Sequence, residues 1–248
     1  MLGQTVLILI LSLVMHCFGE NFCRNDLCHG RTHIACEYPN GSFNSSCPKD
    51  ARVIKFNQDL KNVLVKAHNL VRQRWASGKA NVSRIACKMA TVKWDDDLAK
   101  MALLNAKTCL FKHDACRNTE RFPDSGQNLY LARIRQSAGM QIDIPPTQLI
   151  EMAVKNWADE EKDVVPDDLV AYKRQQKVIG HLTVLINEKS SAVGCGITTF
   201  KEGAVRKYLV ACNYSVTNNL GKSVYSECPK AGSKCPKGLS SQYPPLCA

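Results

Sequence analysis

The chain has 248 residues, 33 Lys and Arg against 22 Asp and Glu, a formal net charge of +11 and 13 cysteines. That length supports one domain with a sizeable core plus decorations, and no second globular domain is expected. Past Cys17 the cysteines form no C-x-x-C pair of the kind zinc ribbons use, so the thiols point to disulfides in an oxidising compartment.

Thr5 to Met15 is an apolar run too short to span a bilayer, and Cys17 and Gly19 supply small residues before a cleavage point at Glu20. Residues 1–19 therefore read as a signal peptide, and the mature chain as secreted, soluble and not membrane-spanning. Cys17 leaves with the signal, and the twelve cysteines that remain imply six disulfides. Export and the lack of a recognised module argue against nucleic-acid binding.

Residues 20–52 hold Cys23, Cys28, Cys36 and Cys47 among polar and small residues, with no sustained period, and read as a stapled extension. Asn40 and Asn44 here, and Asn81 further on, begin N-x-S sequons; a fourth at Asn213 falls in an expected strand and should stay unused. From Phe56 the apolar positions Leu60, Val63, Leu64, Ala67, Leu70, Val71 and Trp75 mark one face of a helix ending near Gly78. His68, Asn69 and Arg72 lie on or beside its border. Between Arg52 and Lys88 nine Lys or Arg face the single acid Asp59, a net +8. Such a field favours acidic glycans or anionic membrane surfaces, or else is a solvated face.

Trp94-Asp95-Asp96-Asp97-Leu98 opens a second helix running to about Cys109, its carboxylates suited to a helix N-terminus. A third follows Pro145-Pro146 and turns Leu149, Ile150, Ala153, Val154 and Trp157 inward, with Glu160 just beyond. Gly180 to Tyr214 reads as a cross-linked β-hairpin. A turn centred between Gly203 and Ala204 puts Cys195 opposite Cys212, where a disulfide closes a loop worth roughly 3 kcal/mol. The tail after Asn218, with Cys228, Cys235 and Cys247, reads as disulfide-held loop.

Four stretches together resemble the CAP superfamily of cysteine-rich secretory, insect antigen 5 and plant pathogenesis-related proteins. They are His68-Asn69-Leu70-Val71-Arg72, Gly126-Gln127-Asn128-Leu129, Gly180-His181-Leu182-Thr183 with Val193-Gly194-Cys195-Gly196, and Leu209 to Tyr214. The Cys109 to Cys116 loop and the extension are similar to antigen 5 proteins in particular. The resemblance implies an α/β fold, a three-layer α-β-α sandwich, over 53–217, between the extension at 20–52 and a tail at 218–248. It gives His68, Asn69 and Arg72 a structural role and implies the pairs Cys23–Cys36, Cys28–Cys116 and Cys47–Cys109. The ending resembles a fly C-terminal loop, favouring Cys235–Cys247 and leaving Cys87–Cys228 from four cysteines that allow three connectivities.

The same resemblance places a cleft at His113, Gln127, Glu160 and His181. Gln127 stands where many members have Glu, and a neutral amide is neither a general base nor a charged ligand. No H-E-x-x-H or G-x-S-x-G motif is present. No cofactor is required on this reading, although two imidazoles and a carboxylate could hold Zn²⁺ or another divalent cation. Leu182, Val184 and Leu185-Ile186-Asn187 depart from the family pattern beside His181. The expectation is a monomeric, non-enzymatic extracellular binder of small lipids, sterols or proteins. Its rivals are a metal-dependent hydrolase and a venom or salivary effector acting on a receptor.

Overall fold

The computed structural model describes residues 21–137, 142–173 and 176–248, so the expected signal peptide lies outside the described residues. In chain order the elements are α1 (Ile34–Glu37), β1 (Arg52–Ile54), α2 (Gln58–Ala76), β2 (Lys93–Trp94) and α3 (Asp96–Ala106). There follow β3 (Gly126–Arg135), α4 (Pro146–Ala158), α5 (Pro166–Val170), α6 (Gly180–Leu185), β4 (Ala192–Glu202) and β5 (Val205–Tyr214). Local chemistry sets the helix boundaries. The Asn57 side chain accepts from the Leu60 amide to open α2, and Gly78, at φ +67°, takes the left-handed conformation just past its end. Asp95 accepts from the amides of Asp97 and Leu98 to open α3, and Pro146 sits at the first turn of α4.

The sheet runs in the order β1-β4-β5-β3, all antiparallel, with the short β2 parallel to a different part of β4. Gly203, at φ +59°, lets β4 and β5 meet in a tight turn, and at that register Cys195 faces Cys212. Alternation along these strands builds the two other layers. Val193, Cys195, Ile197, Tyr208, Val210, Cys212 and Tyr214 share a core with α2, α4 and α6, whereas Leu209 and Ala211 pack with Ala102 and Ala106 of α3 on the other face. Gly194 and Gly196 have a steric reason to be glycine. A Cβ on either would come within 2.2 Å of the Ala99 amide or 2.3 Å of the Leu103 Cα, so α3 could not lie this close to β4.

One expected element is corrected. Gly180 to Leu185 belongs to no hairpin and forms helix α6, whose consecutive residues Leu182 to Leu185 are all buried. The Thr183 hydroxyl donates to the Ile179 carbonyl, as a helical turn permits and a strand does not. Strand β3, quoted above only as a Gly-Gln-Asn-Leu segment, pairs with β5 along its whole length.

The triplet on α2 ties the helical layer to the loops that surround it. Arg72 is fully buried, and its guanidinium donates to the carbonyls of Ala90, Leu185, Asn187 and Ser190. Burial lowers its pKa to about 9, which leaves it charged at neutral pH. Asn69 pairs through both amide atoms with the backbone of Val92. His68 donates through Nδ1 to the Leu64 carbonyl and accepts through Nε2 from the Tyr214 hydroxyl.

Six disulfides close the structure: Cys23–Cys36, Cys28–Cys116, Cys47–Cys109, Cys87–Cys228, Cys195–Cys212 and Cys235–Cys247. Cys28–Cys116 and Cys47–Cys109 fasten the N-terminal segment to both ends of the loop that carries His113. Charge from the basic segment is largely taken up within the protein. Arg52, Lys61, Arg74, Arg84 and Lys88 pair with Asp143, Asp96, Glu161, Glu227 and Glu188, and Arg72 is buried. Lys55, Lys66 and Lys79 are left without an ion pair among the described residues.

Two predictions follow from the buried triplet. Arg72→Met removes the donors from four carbonyls and should lower the unfolding free energy by about 3 kcal/mol or more, read from urea denaturation; an unchanged midpoint would contradict it. Burial lowers the His68 pKa from 6.5 to about 4. The unfolded chain therefore takes up this proton first. The contribution of His68 is complete above pH 6.5 and is lost as pH falls toward 4, a change of about 3 kcal/mol at roughly 1.4 kcal/mol per pKa unit. Stability measured across that window should fall less steeply in His68→Gln than in the wild type.

Candidate functional site: a two-histidine cleft

His113, Gln127 and His181 line one open cleft of about 420 Å³, together with Arg117, Asn128, Tyr172 and neighbours from the 216–220 segment. Each reaches it from a different element. His113 comes from the loop held by Cys109 and Cys116, Gln127 from the start of β3, and His181 from the first turn of α6. Glu160 stands behind His181 in the 3-10 turn Asp159–Asp163 that continues α4.

Hydrogen bonding fixes the tautomer of both rings. Glu160 Oε1 lies 2.5 Å from His181 Nδ1, and Oε2 accepts from the Leu182 amide at 2.9 Å. A carboxylate can only accept, so His181 donates from Nδ1 and keeps its lone pair on Nε2. On the other side of the cleft the Gln127 Oε1 lies 2.8 Å from His113 Nδ1. The Gln127 amide nitrogen donates to Asp114 Oδ2 at 2.8 Å and to Asn213 Oδ1 at 3.0 Å, which fixes the amide orientation. His113 therefore also donates from Nδ1. Desolvation is the main cause that lowers the His113 pKa; the Gln127 bond opposes it, and the charges of Arg117 and His181 reinforce it.

Glu160 bonds through both oxygens and orients His181 from behind, and it is not among the residues that line the cleft. Asp114 is an acid that the sequence reading passed over, although it adjoins His113. Its buried side chain accepts from Arg117, Asn105 and Gln127. Asn128 and Asn213 extend the network inward: Asn128 donates to the His181 carbonyl and to the Tyr214 hydroxyl, which links the cleft to His68. Trp157 stacks against the His181 ring at 6.5 Å. The buried Asn213 is no glycan acceptor, whereas Asn40 and Asn81 are exposed and Asn44 is bonded to Tyr38 and Ser46.

A second cluster brings Cys28, His33 and Cys116 within 4.8 Å of one another. It has no ligand to offer, because its sulfurs form a disulfide and both His33 ring nitrogens are bonded, to the Ala35 amide and the Asn118 carbonyl.

A disulfide-stapled α-β-α sandwich with a two-histidine cleft is the class of domain these residues build. Residues 65–214 match the family described as CAP, the cysteine-rich secretory protein family, and the chain belongs to it. Among its relatives is Venom allergen-1 of Aedes aegypti, 35% identical over 95% of this chain and 90% of that protein. Antigen 5 like allergen Cul n 1 of Culicoides nubeculosus is 31% identical over 79% of this chain and 91% of its own length. The fold is similar to the crystal structure of NaASP2 with Zn²⁺, at TM-score 0.61 and 23% identity over 82% of this chain and 100% of that one.

The tautomer assignment makes a specific forecast. Gln127→Glu puts a carboxylate on His113 Nδ1 and so favours the imidazolium, raising the His113 pKa by one unit or more on the scale of close charge pairs. A proton NMR titration showing no rise would contradict the assigned hydrogen bond.

Proposed function

We propose that this chain is secreted and acts outside the cell by binding, and that its cleft takes a divalent cation of the Zn²⁺ type. The observation that carries this reading is the pair of Nδ1 anchors. With Glu160 and Gln127 each holding an Nδ1 proton, His113 and His181 both present neutral Nε2 lone pairs to one cleft, the donor type that Zn²⁺ prefers. A bound cation would polarise whatever oxygen or nitrogen ligand completed its coordination. Glu160 supports the metal indirectly, as the carboxylate behind a histidine ligand. Catalysis finds little support in the same geometry. A hydrolase needs a placed general base; Gln127 is a neutral amide that cannot serve as one, and the Nε2 lone pairs of His113 and His181 are those a bound cation would take.

A second reading rests on a separate observation. Val53, Ile54, Phe56, Trp94 and Leu103 line an apolar groove of about 400 Å³ where β1 and β2 leave part of the β4 edge uncovered. Phe56 and Trp94 lie 4.9 Å apart within it, and Lys55, Lys61 and Lys100 also line it. Such a groove suits a small lipid with an acidic head. Native mass spectrometry of the secreted protein reads a retained lipid directly.

Calorimetry tests the cation reading. Zn²⁺ binding should vanish in His113→Ala and in His181→Ala and weaken as pH falls, because ligation needs neutral rings. Glu160→Gln should weaken it about 10- to 100-fold, as loss of an outer-shell partner does. Unchanged binding in the double alanine variant would overturn the reading. Metal-dependent peptide cleavage abolished by Glu160→Gln would overturn the binding-only assignment.

A further inference from the structure

We infer that the two-histidine cleft continues into a site for a short acidic oligosaccharide. Tyr172, Thr217 and Asn218 line the cleft and also line a second cavity of about 400 Å³. The two cavities therefore adjoin, and together they offer room for a chain of sugar rings. In the second cavity the chemistry changes. Lys189 and Lys222 both line it, and neither makes an ion pair among the described residues, unlike most cations of the 52–88 segment.

The remaining lining decides the ligand class. Asn187, Asn219 and Ser223 present amide and hydroxyl groups and Tyr172 contributes a ring, with Val216 and Val224 as the aliphatic part of the lining. Amides and hydroxyls match a hydroxyl-rich ligand, and two ammonium groups against the single carboxylate of Asp124 select one carrying sulfate or carboxylate. The anionic substituents would sit between Lys189 and Lys222, with neighbouring rings extending past Thr217 toward the cleft. Acidic-glycan recognition thus moves from the neutralised basic helix to this pair of cavities. Nothing in it depends on the cation, so binding should persist in chelator.

The test is calorimetry of the full mature protein with a size-defined heparin tetrasaccharide at physiological ionic strength, with EDTA present. The wild type should bind; Lys189→Ala/Lys222→Ala should bind at least tenfold more weakly, and Lys189→Arg/Lys222→Arg should restore most of the affinity. Lys66→Ala/Lys79→Ala makes the same change of net charge elsewhere and should alter the affinity less than twofold. Equal losses in the two alanine variants would show general attraction to a basic protein and overturn the inference. So would a wild type that does not bind, binding seen only with Zn²⁺, or equal affinity for an uncharged N-acetylglucosamine tetramer. Because this assay excludes metal, its failure leaves the cation reading standing, and failure of zinc binding leaves this one standing.

Discussion

One buried cation sets the frame on which everything else rests. Among the described residues no carboxylate pairs with the Arg72 guanidinium, which is satisfied by the backbone carbonyls of Ala90, Leu185, Asn187 and Ser190. These carbonyls belong to two segments distant in sequence, the loop before β2 and the stretch from the last residue of α6 through the turn before β4. Guanidinium is planar and carries five donors in a fixed fork, so it holds both segments at once where a lysine could not. Fixing the end of α6 in this way also fixes its beginning, where His181 stands. Along the same helix His68 reaches Tyr214, and through Tyr214 the side chain of Asn128, which holds the His181 carbonyl. The core triplet and the cleft are thus joined by one continuous set of hydrogen bonds.

The cleft uses this rigidity to hold two rings in one tautomeric sense. Its two anchors differ in kind: a carboxylate behind His181 and an amide behind His113. The amide is itself oriented by Asp114 and Asn213, so the negative charge near His113 is displaced by one hydrogen bond and shared with Arg117. A Glu at position 127 would face Asp114 directly and raise the cost of charging either acid. Gln127 avoids that conflict and keeps the site assembled. The disulfides from Cys28 and Cys47 serve the same end by holding the His113 loop at both of its ends.

Much of this was legible in the sequence, for physical reasons that differ by element. The apolar face of α2, the carboxylates opening α3 and the proline opening α4 are local signals, and each helix begins within about two residues of its expected start, although Trp94, expected to open α3, lies in β2. The β4–β5 register followed from a two-residue turn and strand parity. Helix α6 was misread because Gly180-His-Leu-Thr-Val-Leu is short, buried on nearly every side and β-branched, so no period distinguishes helix from strand. The partners of the basic segment are equally illegible from sequence, since Asp143, Glu161, Glu188 and Glu227 lie far away along the chain. Asp114 carried the one available signal, its place beside His113, but which groups its oxygens meet depends on the folded β3.

Both cleft imidazoles carry their proton on Nδ1 and offer Nε2. Long-range ¹H–¹⁵N correlation NMR of the metal-free protein near pH 7.5 reads ring tautomers directly. The account predicts the Nδ1–H form for both His113 and His181. An Nε2–H form at either ring would contradict it.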